Sequence, residues 1–156
     1  MAHTQRIIFD TDIGTDVDDT LALALIAASP ELQVEGVTTV HAAAPLRARI
    51  AQMLLSLAGC GDIPVIPGAS TPLEEPLSEP FPWGPHLWEQ EGVGILSSEE
   101  LVPTDDLDAH AEAAAKFIIE KAAAHSGELS LIAIGPLTTL AGPYKWTRGS
   151  RTGFST

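Results

Sequence analysis

The chain has 156 residues, 45% of them hydrophobic and 19% charged, the make-up of one globular domain with a real core rather than of a disordered or fibrous chain. Twenty-one acidic residues against eight basic ones give a formal net charge of −13, which argues against a nucleic acid partner because its phosphates would be repelled. Cys60 is the only cysteine, so neither an intrachain disulfide nor a thiolate metal cluster is available, and a reducing compartment fits.

The start, Met1 to Arg6, runs into a short strand-like segment without the apolar core of a secretory signal. No stretch approaches the roughly 18 apolar residues of a membrane span, so no membrane association is expected and the cytoplasm is the expected location. Ile7-Ile8-Phe9 reads as a first strand that ends at an acidic cluster. From Asp18 the period changes: Leu21, Ala22, Leu25 and Ile26 fall at helical spacing, and Pro30 stops the pattern. Val34 to Val40 reads as a second strand and Pro45 to Ala58 as a second helix, with Pro45 in a first turn and Gly59 and Gly61 at the exit. Ile63 to Ile66 is a third short strand.

The segment from Pro67 to about Thr104 is rich in Pro, Glu and Ser and holds two of the three tryptophans, Trp83 and Trp88. A loop of this length inside a domain is functional or disordered. Helical spacing resumes from Leu107 to His125, Leu129 to Ile134 is a fourth strand, and Gly135-Pro136-Leu137-Thr138 opens a further helix. Strands alternating with helices imply parallel β-α-β units, an α/β fold with an open, mainly parallel sheet and flanking helices. One domain is expected over residues 1–141. Residues 142–156 form an atypical tail: they carry Lys145, Arg148 and Arg151, no acidic residue and no apolar period, and they read as a disordered or frame-shifted end.

Five aspartates occur between Asp10 and Asp19, directly after a strand and at a helix start. In a parallel sheet this is the carboxyl edge, where ligands bind. One or two carboxylates at a helix start can be caps favoured by the helix dipole. Five crowded together repel one another, and a hard divalent cation is the usual remedy. The spacing of Asp12, Gly14 and Asp16 does not meet a calcium EF-hand loop. A strand followed by Asp10-x-Asp12 also fits the opening of a magnesium-dependent phosphatase of the haloacid-dehalogenase type, with Asp10 as nucleophile, although Gly14 stands where that motif has Thr or Val.

The cluster most closely resembles the opening motif of the inosine-uridine-preferring nucleoside hydrolases, D-[TC]-D-x-G-x-D-D before an apolar helix. Asp10-Thr11-Asp12-Ile13-Gly14 matches its first half and Asp18-Asp19-Thr20-Leu21-Ala22-Leu23 its second, with two extra residues between them. The resemblance continues in order through Glu35 to Val40, Asp62 to Val65 with Gly68-Ala69, and Leu131 to Thr138.

It implies hydrolysis of the N-glycosidic bond of ribonucleosides to ribose and free base, in purine and pyrimidine salvage, with a held calcium ion. Asp12 would be a calcium ligand and the general base toward the attacking water. Asp19 would be a second ligand, the backbone carbonyl of Ile134 a third, and Asp10 would support the group from the strand end. Asp18 would hold a ribose hydroxyl or the water, and His86 would face the substrate. A homo-oligomer, dimer or tetramer, is the family habit. This chain departs from the family where His41-Ala42-Ala43 replaces a ribose-contacting Asn and where Thr139 replaces another Asn. The family's second half, with a His-Asp pair near its end, has no counterpart here. An inactive metal- or nucleoside-binding remnant is therefore the non-enzymatic alternative.

Overall fold

A computed structural model of the protein describes residues 4–72, 92, 94–97 and 111–141. Four strands form one parallel sheet among the described residues: β1 (Gln5–Thr11), β2 (Leu32–Thr39), β3 (Val65–Pro67) and β4 (Leu129–Ala133), in the order β3-β2-β1-β4. The helices are α1 (Asp18–Ala28), α2 (Ala44–Leu57) and α3 (Ala111–Ala124). Each expected strand and helix that falls on described residues is present, with ends shifted by a few residues: β1 begins earlier, β2 runs from Leu32, and β3 starts at Val65. The helix expected after Gly135-Pro136 begins at residue 138 and is described as far as residue 141. The long loop with Trp83, His86 and Trp88, and the tail from residue 142, lie outside the described residues. None of the described helices is long and apolar enough to cross a membrane.

The core forms where α1 and α2 pack against one face of the sheet. Ile7 and Phe9 of β1 and Val37 of β2 meet Leu23 and Ile26 of α1 and Ile50, Ala51 and Leu55 of α2. One part of the periodicity reading fails at α1. Leu21 and Leu25 are 62% and 69% exposed, and the inward face is Asp19, Leu23 and Ile26. A helix apolar on nearly all sides has no unique buried stripe to read, so contact with the sheet chooses it.

The pairing of β1 with β2 is irregular at one point. Ile7 pairs with Val34 but Ile8 with Gly36, so Glu35 is an extra residue, a β-bulge. Because side chains alternate faces along a strand, this insertion lets Val34 and Val37 both face α1 and α2. Gly36 and Thr38 face the other side with Ile8 and Asp10. There the ring of Phe117 from α3 lies over Gly36, where a Cβ would overlap it.

The bulged Glu35, its side chain 9% exposed, gathers cations from two other elements. Arg6 of β1 donates to Oε1, and Lys121 Nζ of α3 donates to Oε2 at 2.8 Å, with His125 Nε2 3.7 Å away. The Lys121 bond foremost, then the Arg6 bond, hold the Glu35 carboxyl below its ordinary value of 4.5 against the opposing effect of burial. This contribution is therefore fully present above pH 4.5 and is lost as the pH falls through the depressed folded value. Glu35→Gln is expected to lower stability by about 1.5–3 kcal/mol at neutral pH, the range for hydrogen bonds to charged groups. In urea unfolding the gap between wild type and variant is expected to close as the pH is lowered below 4.5, and a gap independent of pH would contradict the role given to the charge.

Candidate active site

The chain leaves β1 for β2 and then β3 on one side, and returns to the opposite side of β1 as β4. At the carboxyl ends of β1 and β4 the connections therefore diverge, which opens a crevice of the kind in which parallel sheets bind ligands. The acidic cluster occupies the β1 side of it. Main-chain bonds hold the edge together: Ile134 N donates to Asp10 O at 3.0 Å, Val40 N to Thr11 O at 3.1 Å, and Gly68 N to Thr39 O at 2.8 Å.

Beyond β1 the chain turns sharply. Ile13 N donates to the Thr11 hydroxyl at 3.1 Å, a local bond that favours a turn over further strand. Gly14 has φ 119°, a left-handed value that a residue with a Cβ adopts only under strain. The turn brings the chain to α1, whose first residues are Asp18 and Asp19.

The five aspartates occupy different depths. Asp10 is fully buried; its Oδ1 accepts from Thr38 Oγ1 at 2.5 Å, and its Oδ2 has no hydrogen-bond partner among the described residues. Burial pushes its carboxyl up to about 6, the Asp12 charge adding to the rise and the Thr38 bond opposing it. Asp12 is half-buried, and Asp19, nearly buried, faces it closely enough to share a hydrogen bond. Burial, then the charge of Asp12 and that shared bond, push Asp19 up to about 7. Asp16 and Asp18 stand exposed at the rim and share a hydrogen bond of their own, which raises Asp16 and lowers Asp18.

The β4 side of the crevice closes on Asp12. A Cβ on Gly135 would lie 3.0 Å from both Asp12 N and Asp12 Oδ1 and 2.8 Å from Val40 Cγ1, so only glycine lets the two loops approach this closely. Ile134, the residue before it, donates its main-chain N to Asp10 O on the same edge.

Among the described residues, no three His, Cys, Asp or Glu side chains stand together as a metal-holding cluster. The donors suited to a hard cation are the facing pair Asp12 and Asp19 with the nearby main chain of Ile134. Asp10 is turned away to Thr38 and backs the pair electrostatically. The residues fit a divalent cation to that extent: two carboxylates sharing a hydrogen bond need a proton or a cation between them.

Other residues at the edge carry less sequence signal. His41 and Ala42 both adopt left-handed φ values, 77° and 51°, at the turn after β2. Burial, then the charge of Arg47, lower the pKa of His41, with Asp12 opposing. Arg47 of α2 is itself 2% exposed and donates to the main-chain carbonyls of Asp12, Ile13 and His41. Its signal in the sequence is a charge in helical register with Ile50, Ala51 and Leu54, on the apolar stripe of α2. Thr139 is buried, and its hydroxyl has no hydrogen-bond partner among the described residues.

The raised Asp19 sets a pH dependence opposite in sign to that of Glu35. A carboxyl pushed from 3.8 up to about 7 adds stability below pH 3.8 that is lost as the pH rises toward 7. In chelator, Asp19→Asn is expected to match the wild type near pH 4 and to be the more stable of the two at pH 8. Thermal unfolding at the two pH values measures this, and a less stable variant at pH 8 would contradict the repulsion.

Residues 7–145 match the model of the inosine-uridine preferring nucleoside hydrolases. Uridine nucleosidase 1 of Arabidopsis thaliana is 34% identical over 141 residues, which is 88% of this chain and 39% of the plant protein. A non-specific ribonucleoside hydrolase of Klebsiella pneumoniae is 31% identical over 141 residues, covering 86% of this chain and 41% of its own length. Among solved structures, a plant nucleoside hydrolase superposes with a TM-score of 0.65 at 30% identity, over 91% of this chain and 43% of its own. A purine-preferring ribonucleoside hydrolase from Gardnerella vaginalis, at 24% identity and a TM-score of 0.67, shares the fold. The chain spans about two fifths of the length of these relatives. With an ordered match over most of its residues and the same parallel sheet behind its acidic cluster, the chain belongs to the inosine-uridine preferring nucleoside hydrolase family.

Proposed function

We propose that the protein hydrolyses the N-glycosidic bond of ribonucleosides to ribose and free base, and that this chain supplies the cation- and ribose-holding side of the site. The observation that carries the reading is the facing pair Asp12 and Asp19 at the mouth of the crevice between β1 and β4. Relatives named uridine nucleosidase and ribonucleoside hydrolase support the substrate class.

In this reading Asp12 takes a proton from the attacking water, a task for a half-buried carboxylate open to the crevice. Asp18, exposed and held ionised by its bond with Asp16, accepts a ribose hydroxyl. The negative field of the cluster stabilises the positive charge that builds on the ribosyl carbon as the base departs. Asp12, Asp19 and the Ile134 carbonyl would hold a hard divalent cation, all three donors being oxygen, and we take it to be calcium on the family resemblance. Such a cation supplies acidification of water and an anchor for the sugar hydroxyls. His86 is assigned to the substrate on the motif resemblance alone, since it lies outside the described residues.

The phosphatase alternative loses its footing on one point. Its nucleophile would be Asp10, which is fully buried and hydrogen-bonded to Thr38, so no phosphate ester can reach it.

Incubated with uridine or inosine and calcium, the protein is expected to release ribose, read as reducing sugar, and a chelator is expected to stop it. Asp12→Asn is expected to lower the rate by about 10²- to 10⁴-fold, as for loss of a general base. No release by the wild type, or release undiminished in the variant, sinks the proposal.

A further inference from the structure

Among the described residues Arg47 is the largest fully buried side chain, at 2% exposure, and the acidic cluster as read above makes no use of it. It comes from α2, which packs on α1, β2 and β3. Its guanidinium nevertheless reaches across the sheet edge. Nη1 donates to the carbonyls of Asp12 and of Ile13, the latter at 3.0 Å, and Nε donates to the carbonyl of His41 at 3.0 Å. One rigid planar group thus ties the turn after β1 to the turn after β2, and each turn has an unusual backbone, Gly14 on one side and His41-Ala42 on the other.

Three of the Arg47 hydrogen bonds reach main-chain oxygens at the two turns, and the Asp12 carboxylate beside them faces Asp19. We propose that Arg47 is a positioning residue for the cation site: by clasping the Asp12 and Ile13 carbonyls to that of His41, it holds the Asp12 carboxylate in place against the repulsion of Asp19. This rests on the reading of Asp12 and Asp19 as cation ligands.

The physical basis is that of supporting groups around metal ligands. A ligand whose own backbone is free to swing presents its oxygens in many directions, and the cation must then supply the ordering. Removal of such support lowers metal affinity by about 10- to 100-fold while leaving the ligand itself in place.

The test titrates calcium alone into the full chain by calorimetry, with amide hydrogen exchange of residues 12–19 as a second readout. Arg47→Met keeps the aliphatic stem but removes the donors, and is expected to weaken calcium binding by about 10- to 100-fold and to speed exchange in the turn. Arg47→Lys, a compact charge without the planar fork, is expected to fall between the two. Leu55→Ala, a core change on the same helix, controls for general destabilisation and is expected to leave calcium affinity unchanged while lowering the melting temperature.

Equal loss of affinity in Leu55→Ala and Arg47→Met overturns the proposal, as does wild-type affinity in the Lys or Met variant. Should the Met variant not fold, the Lys variant decides: several-fold weaker binding supports the role, and unchanged binding ends it. A wild type that binds no calcium would sink the cation reading. In that case the exchange of residues 12–19 still judges Arg47, since unchanged exchange in the Lys variant would show that it does not hold the turn.

Discussion

The Asp12 carboxylate acts by its charge on both Asp10 and Asp19 at one end of β1, and the structure around them is organised to resist that repulsion. Two of the three are buried enough that their protons are held far above the usual carboxylate range. Such crowding destabilises a fold unless the backbone beneath it is fixed, because the chain could relieve the strain by opening the turn. The fixing is done from three sides. Parallel ladders with β2 and β4 hold Asp10, Thr38 holds its side chain, and Arg47 holds the main chain of Asp12. The unfavourable charge energy kept in place this way is what a bound cation would relieve.

β1 therefore serves the sheet and the site at once. Ile7 and Phe9 send their side chains into the core under α1 and α2, while the next alternate residue on the opposite face is Asp10. The bulge at Glu35 ties these roles together. The extra residue sets which face each later side chain of β2 meets, and it is this register that puts Thr38 opposite Asp10. The bulged Glu35 is meanwhile tied to Arg6, Lys121 and His125, which pins α3 to the far end of the same strand. One irregularity in pairing thus anchors a helix at one end of β2 and orients a site residue at the other.

The relatives clarify how far local sequence could lead. The acidic motif needs no tertiary contact to be read, because its residues are adjacent in the chain and its chemistry follows from charge density. Which aspartates face each other is a different question. Asp10 and Asp12 have the same residue type two positions apart, yet one is turned to Thr38 beneath the sheet edge and the other faces Asp19. Strand alternation alone would place both on one face; the turn at Thr11 to Gly14 separates them.

The sequence by itself determined the succession of strands and helices, the parallel α/β class, the acidic cluster at the end of β1 and the family resemblance, all of which rest on short-range pattern and composition. Only the tertiary structure decided the strand order, the bulge at Glu35, the inward face of α1 and the part played by Arg47. The reason is the same in each case. A helix apolar on nearly all sides, an extra residue in a strand, and an arginine among apolar neighbours acquire meaning from the surface they meet, and that surface comes from residues distant in the chain.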